Sequence, residues 1–200
     1  MIALVDYGAG NLTSVRKALS HLGAEAWTPS VPGELARASA IIVPGVGHFD
    51  ATRGLTDDWR AAIRASIDHG LPLLGICVGL QWLFEGSTEA PGVPGLGVFA
   101  GECSLLGKGG QTPFLKVPHV GWNSLSWPKP SRLMHGLAEG TQVYFTHSYA
   151  APVIDDTVAI CQYGVSFSAA VERDNVATVQ FHPEKSGDAG LRVLANWMRG

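Results

Sequence analysis

Cys77 stands between two glycines in Leu73-Leu74-Gly75-Ile76-Cys77-Val78-Gly79-Leu80-Gln81, directly after an apolar, strand-like run and before a helical stretch. A turn that sharp brings strand and helix so close that the positions two before and two after the nucleophile must lack bulk, as Gly75 and Gly79 do. The start of the helix would favour a thiolate at Cys77 through its dipole, and the free N–H of Val78 would point where an oxyanion forms. An isolated cysteine reads more simply as a small buried hydrophobe. The strand, the paired glycines and the helix together favour a nucleophile. Cys103 and Cys161 lie in strand-like runs without such glycines and read as structural thiols.

A cysteine nucleophile needs a base that takes its proton and returns one to the leaving group, and the base needs a third residue to hold its ring. Val179-Gln180-Phe181-His182-Pro183-Glu184 offers both. His182 ends an apolar strand, and Pro183 imposes an extended backbone before it, so the Glu184 carboxylate can fold back onto the imidazole. Of the other histidines, His21 and His69 close helices and His48 and His135 lie in turns, while His119 and His147 stay open between core and site.

In Pro44-Gly45-Val46-Gly47 the glycines permit backbone angles closed to other residues, so an N–H there can turn toward the site as a second oxyanion donor. An ordinary glycine turn explains the same loop equally well. Gly8-Ala9-Gly10 is a weak phosphate-binding signal, because Thr13 replaces the third glycine of a dinucleotide fingerprint and no P-loop lysine follows.

The elements that must position these residues change character midway. The first half alternates short apolar runs with helical-period segments, the pattern of strands joined by crossover helices in a parallel sheet. Ile2–Val5, Ile41–Val43 and Leu71–Ile76 read as buried strands. A helix capped by Asn11 carries Leu12, Val15, Leu19 and Leu22 on one face, and one opened by Asp57 and Asp58 turns Trp59, Ile63 and Ile67 inward. From Gly95 to Gln180, turn residues separate short strands at Val98–Leu105, Gln142–Phe145, Val158–Gln162 and Val176–Phe181, which should add antiparallel strands. From Ser186 a helix sets Leu191, Leu194, Ala195 and Met198 against Arg192, Asn196 and Arg199. No repeat or linker divides residues 1–200, so one α/β domain is expected.

At 200 residues and 46% hydrophobic content the chain can bury a sizeable core. Its 14 Lys and Arg against 17 Asp and Glu form no basic block, so nothing signals nucleic acid or an anionic membrane. Three cysteines without close ligand spacing argue against a disulfide framework and a zinc site and suit a reducing cytoplasm. No signal peptide or membrane span is expected, since the longest apolar run, Leu71 to Phe84, is shorter than the roughly 20 residues required and holds Gln81.

Taken together, Gly-x-Cys-x-Gly-x-Gln and His-Pro-Glu resemble the two motifs of class I glutamine amidotransferases. More narrowly, Asp6-Tyr7-Gly8-Ala9-Gly10-Asn11, Pro44–Gly47, Pro118-His119-Val120-Gly121-Trp122-Asn123 and Phe181–Ser186 resemble the family of glutaminase subunits of imidazole glycerol phosphate synthases. Gly164–Phe167 and Gly101–Cys103 depart from that pattern, outside the motifs. The resemblance implies a flavodoxin-like mixed sheet, flanked by helices, and a Cys77-His182-Glu184 triad that hydrolyses L-glutamine without metal or organic cofactor. It implies an oxyanion hole from Gly45, Val46, Gly47 and Val78, and glutamine contacts at Gln81, Ser148 and Tyr149. Asn11, Trp122, Tyr144 and Lys185 would face a (βα)8-barrel cyclase subunit in a heterodimer, although on residue type alone Trp122 reads as a core aromatic and Lys185 as a solvated charge. Free ammonia is protonated in neutral water, so it must pass directly to an acceptor site, expected on that second chain. The alternatives are the vitamin B6-associated glutaminase of the same class and a non-catalytic binding module on the same fold.

Overall fold

The computed structural model describes residues 1–107 and 115–200. In chain order its elements are β1 (Ile2–Leu4), α1 (Leu12–His21), β2 (Ala26–Trp27), β3 (Ala40–Gly45), α2 (Asp57–Asp68), β4 (Leu73–Cys77), α3 (Val78–Leu83), β5 (Gly86–Ser87), β6 (Glu102–Leu105), β7 (His119–Ser126), β8 (Gln142–His147), β9 (Tyr149–Ala150), β10 (Thr157–Tyr163), β11 (Val165–Arg173), β12 (Val176–Val179) and α4 (Gly187–Met198). Among the described residues, nine strands form one sheet in the order β2-β1-β3-β4-β12-β11-β10-β7-β8, and β5-β6-β9 form a second, small one.

Strands β2 to β12 of that order run parallel, and every pairing from β12 to β8 is antiparallel. The mixed sheet expected from the sequence is therefore present, with its parallel core and antiparallel extension. The two parts differ for a physical reason. Ile41, Ile42 and Val43 of β3 and Leu73, Leu74 and Ile76 of β4 are almost wholly excluded from solvent, as suits parallel strands covered on both faces. In β8, buried Val143, Phe145 and His147 alternate with half-buried Tyr144 and Thr146, so one face stays open.

Asn11 caps α1 by accepting from the Ser14 N–H at 3.3 Å. Three expectations need correction. Only Glu102–Leu105 of the stretch Val98–Leu105 is a strand, because the N–H groups of Val98 and Phe99 both donate to the Leu83 carbonyl at the end of α3 (2.8 and 3.0 Å). The third strand begins at Leu73, since Leu71 still bonds back to Ser66 at the end of α2, and it runs on through Cys77. In α4 the inward stripe is Gly190, Val193, Leu194 and Trp197, and Asn196, expected on the solvent face, is buried. Its amide donates to the Leu133 and His135 carbonyls at 3.0 and 2.7 Å, which satisfies a loop that packs on the helix. Among the described residues no helix is long and apolar enough to cross a membrane.

Candidate active site

The ends of β3, β4 and β12 meet at one edge of the parallel core, where open α/β sheets place their ligands. Cys77 ends β4 at φ 55° and ψ −105°, a conformation that residues with a side chain seldom adopt. The neighbouring glycines make it possible. A methyl at Gly79 would land on the Val43 carbonyl oxygen, and one at Gly75 would lie 2.6 Å from Thr178 Oγ1 and 2.7 Å from the Gly79 carbonyl. Strand and helix are as close as the two glycines suggested.

His182 follows β12 with an extended backbone, and Pro183–Lys185 then form a 3-10 turn that returns Glu184 beneath the ring. Pro183 thus starts a turn as well as extending the residue before it, a difference from the sequence expectation. His182 Nδ1 and Glu184 Oε1 are 2.9 Å apart, and both side chains are 1% exposed. The backbone is held as firmly: the His182 N–H donates to the Tyr144 carbonyl at 2.9 Å, and Ser186 Oγ donates to the His182 carbonyl at 2.7 Å while accepting from the Tyr144 N–H at 3.0 Å. Burial on its own would lower the His182 pKa; the neighbouring Cys77 and Glu184, the latter through its hydrogen bond to Nδ1, outweigh it and raise the value to about 9. His182 Nε2 is buried with no nitrogen or oxygen partner among the described residues. The carboxylate thus engages Nδ1 and leaves Nε2 as the nitrogen free to exchange a proton.

Cys77 opens onto a cavity of about 710 Å³ lined by Asn11, Val46, Gly47, Val78, Gln81, Ser148, Tyr149 and Lys185, together with Glu89, His48, Pro118 and His147. Of the residues expected at the oxyanion hole, Val46, Gly47 and Val78 reach this cavity, whereas Gly45 does not line it. Gly45 is also not free to rotate: it pairs with Cys77 inside β3, and a methyl there would lie 2.6 Å from Val78 Cβ. The conformational freedom expected of both glycines belongs to Gly47 alone, at φ 97°. His182 and Glu184 sit behind Cys77 rather than on the cavity wall.

The residues expected to face a partner fall on one surface. Trp122 is 54% exposed, against its reading as a core aromatic, because β7 lies one strand from the edge of the sheet. Its ring meets Tyr144 edge-on at 6.1 Å, and Lys185 Nζ lies 5.9 Å over the Tyr144 ring. Asn11 joins Lys185 at the cavity rim.

Sequence reasoning missed Gln180 and Glu89. Gln180 is fully buried with Nε2 3.7 Å from Cys77 Sγ; a glutamine at the end of an apolar strand, two residues before the base, was the available signal. Glu89 Oε2 accepts from the Phe49 N–H at 2.8 Å and faces the cavity, and no local pattern marks it. The open question of His119 and His147 is answered by a buried pair, Nδ1 of the first 3.1 Å from Nε2 of the second, with His119 stacked on Tyr163 at 3.9 Å and His147 Nδ1 2.9 Å from the Tyr149 carbonyl.

Burial lowers these two imidazoles to about 4 and about 3. Folded values below the ordinary 6.5 mean that the neutral forms are stabilised. Their contribution is complete above about pH 6.5 and is lost as pH falls toward 3. Melting temperature should therefore drop between pH 6.5 and 4, at up to about 1.4 kcal/mol per pH unit for each ring. Melts of the native chain and of His119→Phe over that range check it, the variant giving the flatter slope.

A cysteine at positive φ on a strand end, an imidazole held by a carboxylate and a glycine loop beside them are gathered at one edge of a mixed α/β sheet, the parts a cysteine nucleophile needs. The chain belongs to the class I glutamine amidotransferase family, whose model matches residues 3–199. Within that family it is 47% identical, over the whole of both chains, to imidazole glycerol phosphate synthase subunit HisH of Thermococcus kodakarensis. It is 45% identical to the subunit of the same name from Methanothermobacter thermautotrophicus, over 99% of this chain and 98% of that one. Among solved structures it resembles PurLQS from Thermotoga maritima, with a TM-score of 0.76 and 20% identity over 99% of this chain and 97% of that one. A structure described as glutamine amidotransferase gives 0.74 and 21%, over 99% and 100%. At those identities the likeness speaks for the fold.

Proposed function

We propose that this chain is the glutaminase subunit of an imidazole glycerol phosphate synthase, hydrolysing L-glutamine and passing ammonia to a (βα)8-barrel cyclase subunit in histidine biosynthesis. One arrangement carries the reading: Cys77 held at a positive φ beside an imidazole that Glu184 orients. The Cys77 thiolate attacks the side-chain amide carbon of glutamine, and the tetrahedral oxyanion is met by the Val78 N–H and by an N–H of the Val46–Gly47 segment. His182, protonated at neutral pH, gives its proton to the departing nitrogen as the C–N bond breaks, leaving ammonia and a thioester. Water deprotonated by the same imidazole then cleaves the thioester to glutamate and restores the thiol.

The cavity suits the rest of the substrate. Gln81 Oε1 is buried without a partner and needs a donor, and the Glu89 carboxylate is placed to receive an α-ammonium group. The exposed Trp122, with Tyr144 and Lys185, is the kind of aromatic and cationic patch that anchors a protein partner. With Gly45 locked in its strand, the peptide between Val46 and Gly47 is the one that can rotate to present or withdraw an oxyanion donor. Partner binding is expected to set that choice.

The test is glutamate release by the chain alone, with the barrel subunit, and with barrel plus its nucleotide. Turnover should rise by about 100-fold or more in the last state, the effect of a single oxyanion donor. Equal turnover in all three would show the loop already in its active form and remove the switch.

A further inference from the structure

Two buried amides stand behind the nucleophile. Gln180 Nε2, 3.7 Å from Cys77 Sγ, is oriented to donate to it, and Gln180 Oε1 accepts from Gln81 Nε2 at 3.3 Å. The same Gln81 amide donates to the Tyr149 carbonyl at 2.9 Å. The Gln180 backbone is pinned by its N–H on the Ala169 carbonyl at 2.8 Å, so the side chain leaves from a fixed point at the end of β12.

We propose that Gln180 is a further catalytic residue of this centre: its amide donates to the Cys77 sulfur, stabilising the thiolate and aiming it at the cavity, while Gln81 locks the amide's orientation. The proposal rests on Cys77 being the nucleophile. Chemistry fixes the direction of each amide in the chain. An ionised sulfur only accepts, so Gln180 must present its nitrogen to it, and its oxygen then faces Gln81. The Tyr149 carbonyl also only accepts, which sets the Gln81 nitrogen toward it and toward the Gln180 oxygen. The two requirements agree, and turning either amide would set oxygen against oxygen or against the thiolate.

A donor here adds to the support that the His182 imidazolium gives the thiolate. Sγ also lies 3.9 Å from the Thr146 carbonyl, which only accepts and so offers a thiolate no hydrogen bond. Helix α3 is only six residues long, which limits the dipole expected to hold the charge. Gln180 supplies a donor without adding a second positive charge to compete with the His182 imidazolium.

The experiment follows alkylation of Cys77 by iodoacetamide at pH 7.5 in the full chain, with the labelled peptide identified by mass spectrometry. The other two thiols stay silent, since burial pushes Cys161 up to about 12 and Cys103 higher still. Gln180→Leu should slow labelling by about 10- to 150-fold, the worth of one hydrogen bond to a charged group. Gln180→Glu, which has nearly the same shape, should be slower than the leucine variant at pH 7.5, where it sets a carboxylate against the sulfur. It should overtake it near pH 5, where the protonated acid can donate. A purely structural role would produce neither that order nor its reversal. Should Gln180→Leu fail to fold, the pH dependence of Gln180→Glu relative to the native chain decides. Equal labelling of Cys77 in the native chain and in Gln180→Glu at both pH values would overturn the proposal. Failure of Cys77 to label in the native chain would remove the nucleophile reading itself, and the proposal with it.

Discussion

Cys77→Ser should lower glutamine-dependent synthesis by the complex of this chain with the proposed cyclase partner by more than about 10⁴-fold, while synthesis from added ammonium salts stays intact. A hydroxyl at the same strand end keeps the elbow, the glycines and the cavity, so the loss reads chemistry rather than folding. A serine hydroxyl is far less acidic than a thiol and cannot be drawn into the ion pair that raises His182 to about 9. Ammonia supplied from outside needs only the acceptor site on the other chain. Both rates measured on one preparation check the result, and loss of the ammonium-dependent rate as well would contradict the division of labour between the subunits.

Glu184→Gln is expected to reduce the rate of glutamine hydrolysis by roughly 10²- to 10⁴-fold, with little change in KM. The carboxylate lies 2.9 Å from His182 Nδ1 and fixes both the tautomer and the charge of the ring. An amide that presents its nitrogen to Nδ1 would turn the tautomer around and leave Nε2 carrying the proton when a base is wanted. Glu184 is also one of the groups that raise His182, so its neutral replacement must lower the pH at which the imidazolium is lost. The sign for stability follows. In the native chain the raised value contributes stability that is complete below about pH 6.5 and lost as pH climbs to about 9, and the variant should show a shallower decline over that window. Steady-state kinetics and melts at pH 6.5 and 9 measure both; an unchanged rate would leave the carboxylate a structural role only.

How much of this was legible beforehand depends on sequence distance. The elbow is written in five consecutive positions, Gly75 to Gly79, and the base with its carboxylate in three, so local spacing was enough for both. The alternation of apolar runs and helical period gave the parallel core, because strands buried on both faces must be apolar throughout. Gln180 and Gln81 meet across 99 residues, and nothing local marks either as a partner of the other. Residue type alone misplaces Trp122 for a related reason, although the family resemblance set it on the partner-facing side: an indole speaks for burial, and only the order of strands places β7 where one face is open. Val98 to Gly101 failed as a strand because the N–H groups of Val98 and Phe99 turn to the Leu83 carbonyl of α3, and that of Gly101 to the Glu85 carboxylate, rather than to a neighbouring strand.

The parallel pairings described above have a consequence for how activity arises during folding. Gly75 pairs with Val43 on one side and with Thr178 on the other, the latter 103 residues away, so β4 gains its second neighbour only when the last strand of the chain has arrived. Such non-local closure is the slow part of building a sheet. A chain still emerging or only partly ordered has the cysteine but neither the imidazole nor the carboxylate beside it. With the proposed triad, glutaminase activity therefore requires β12 to be in place beside β4.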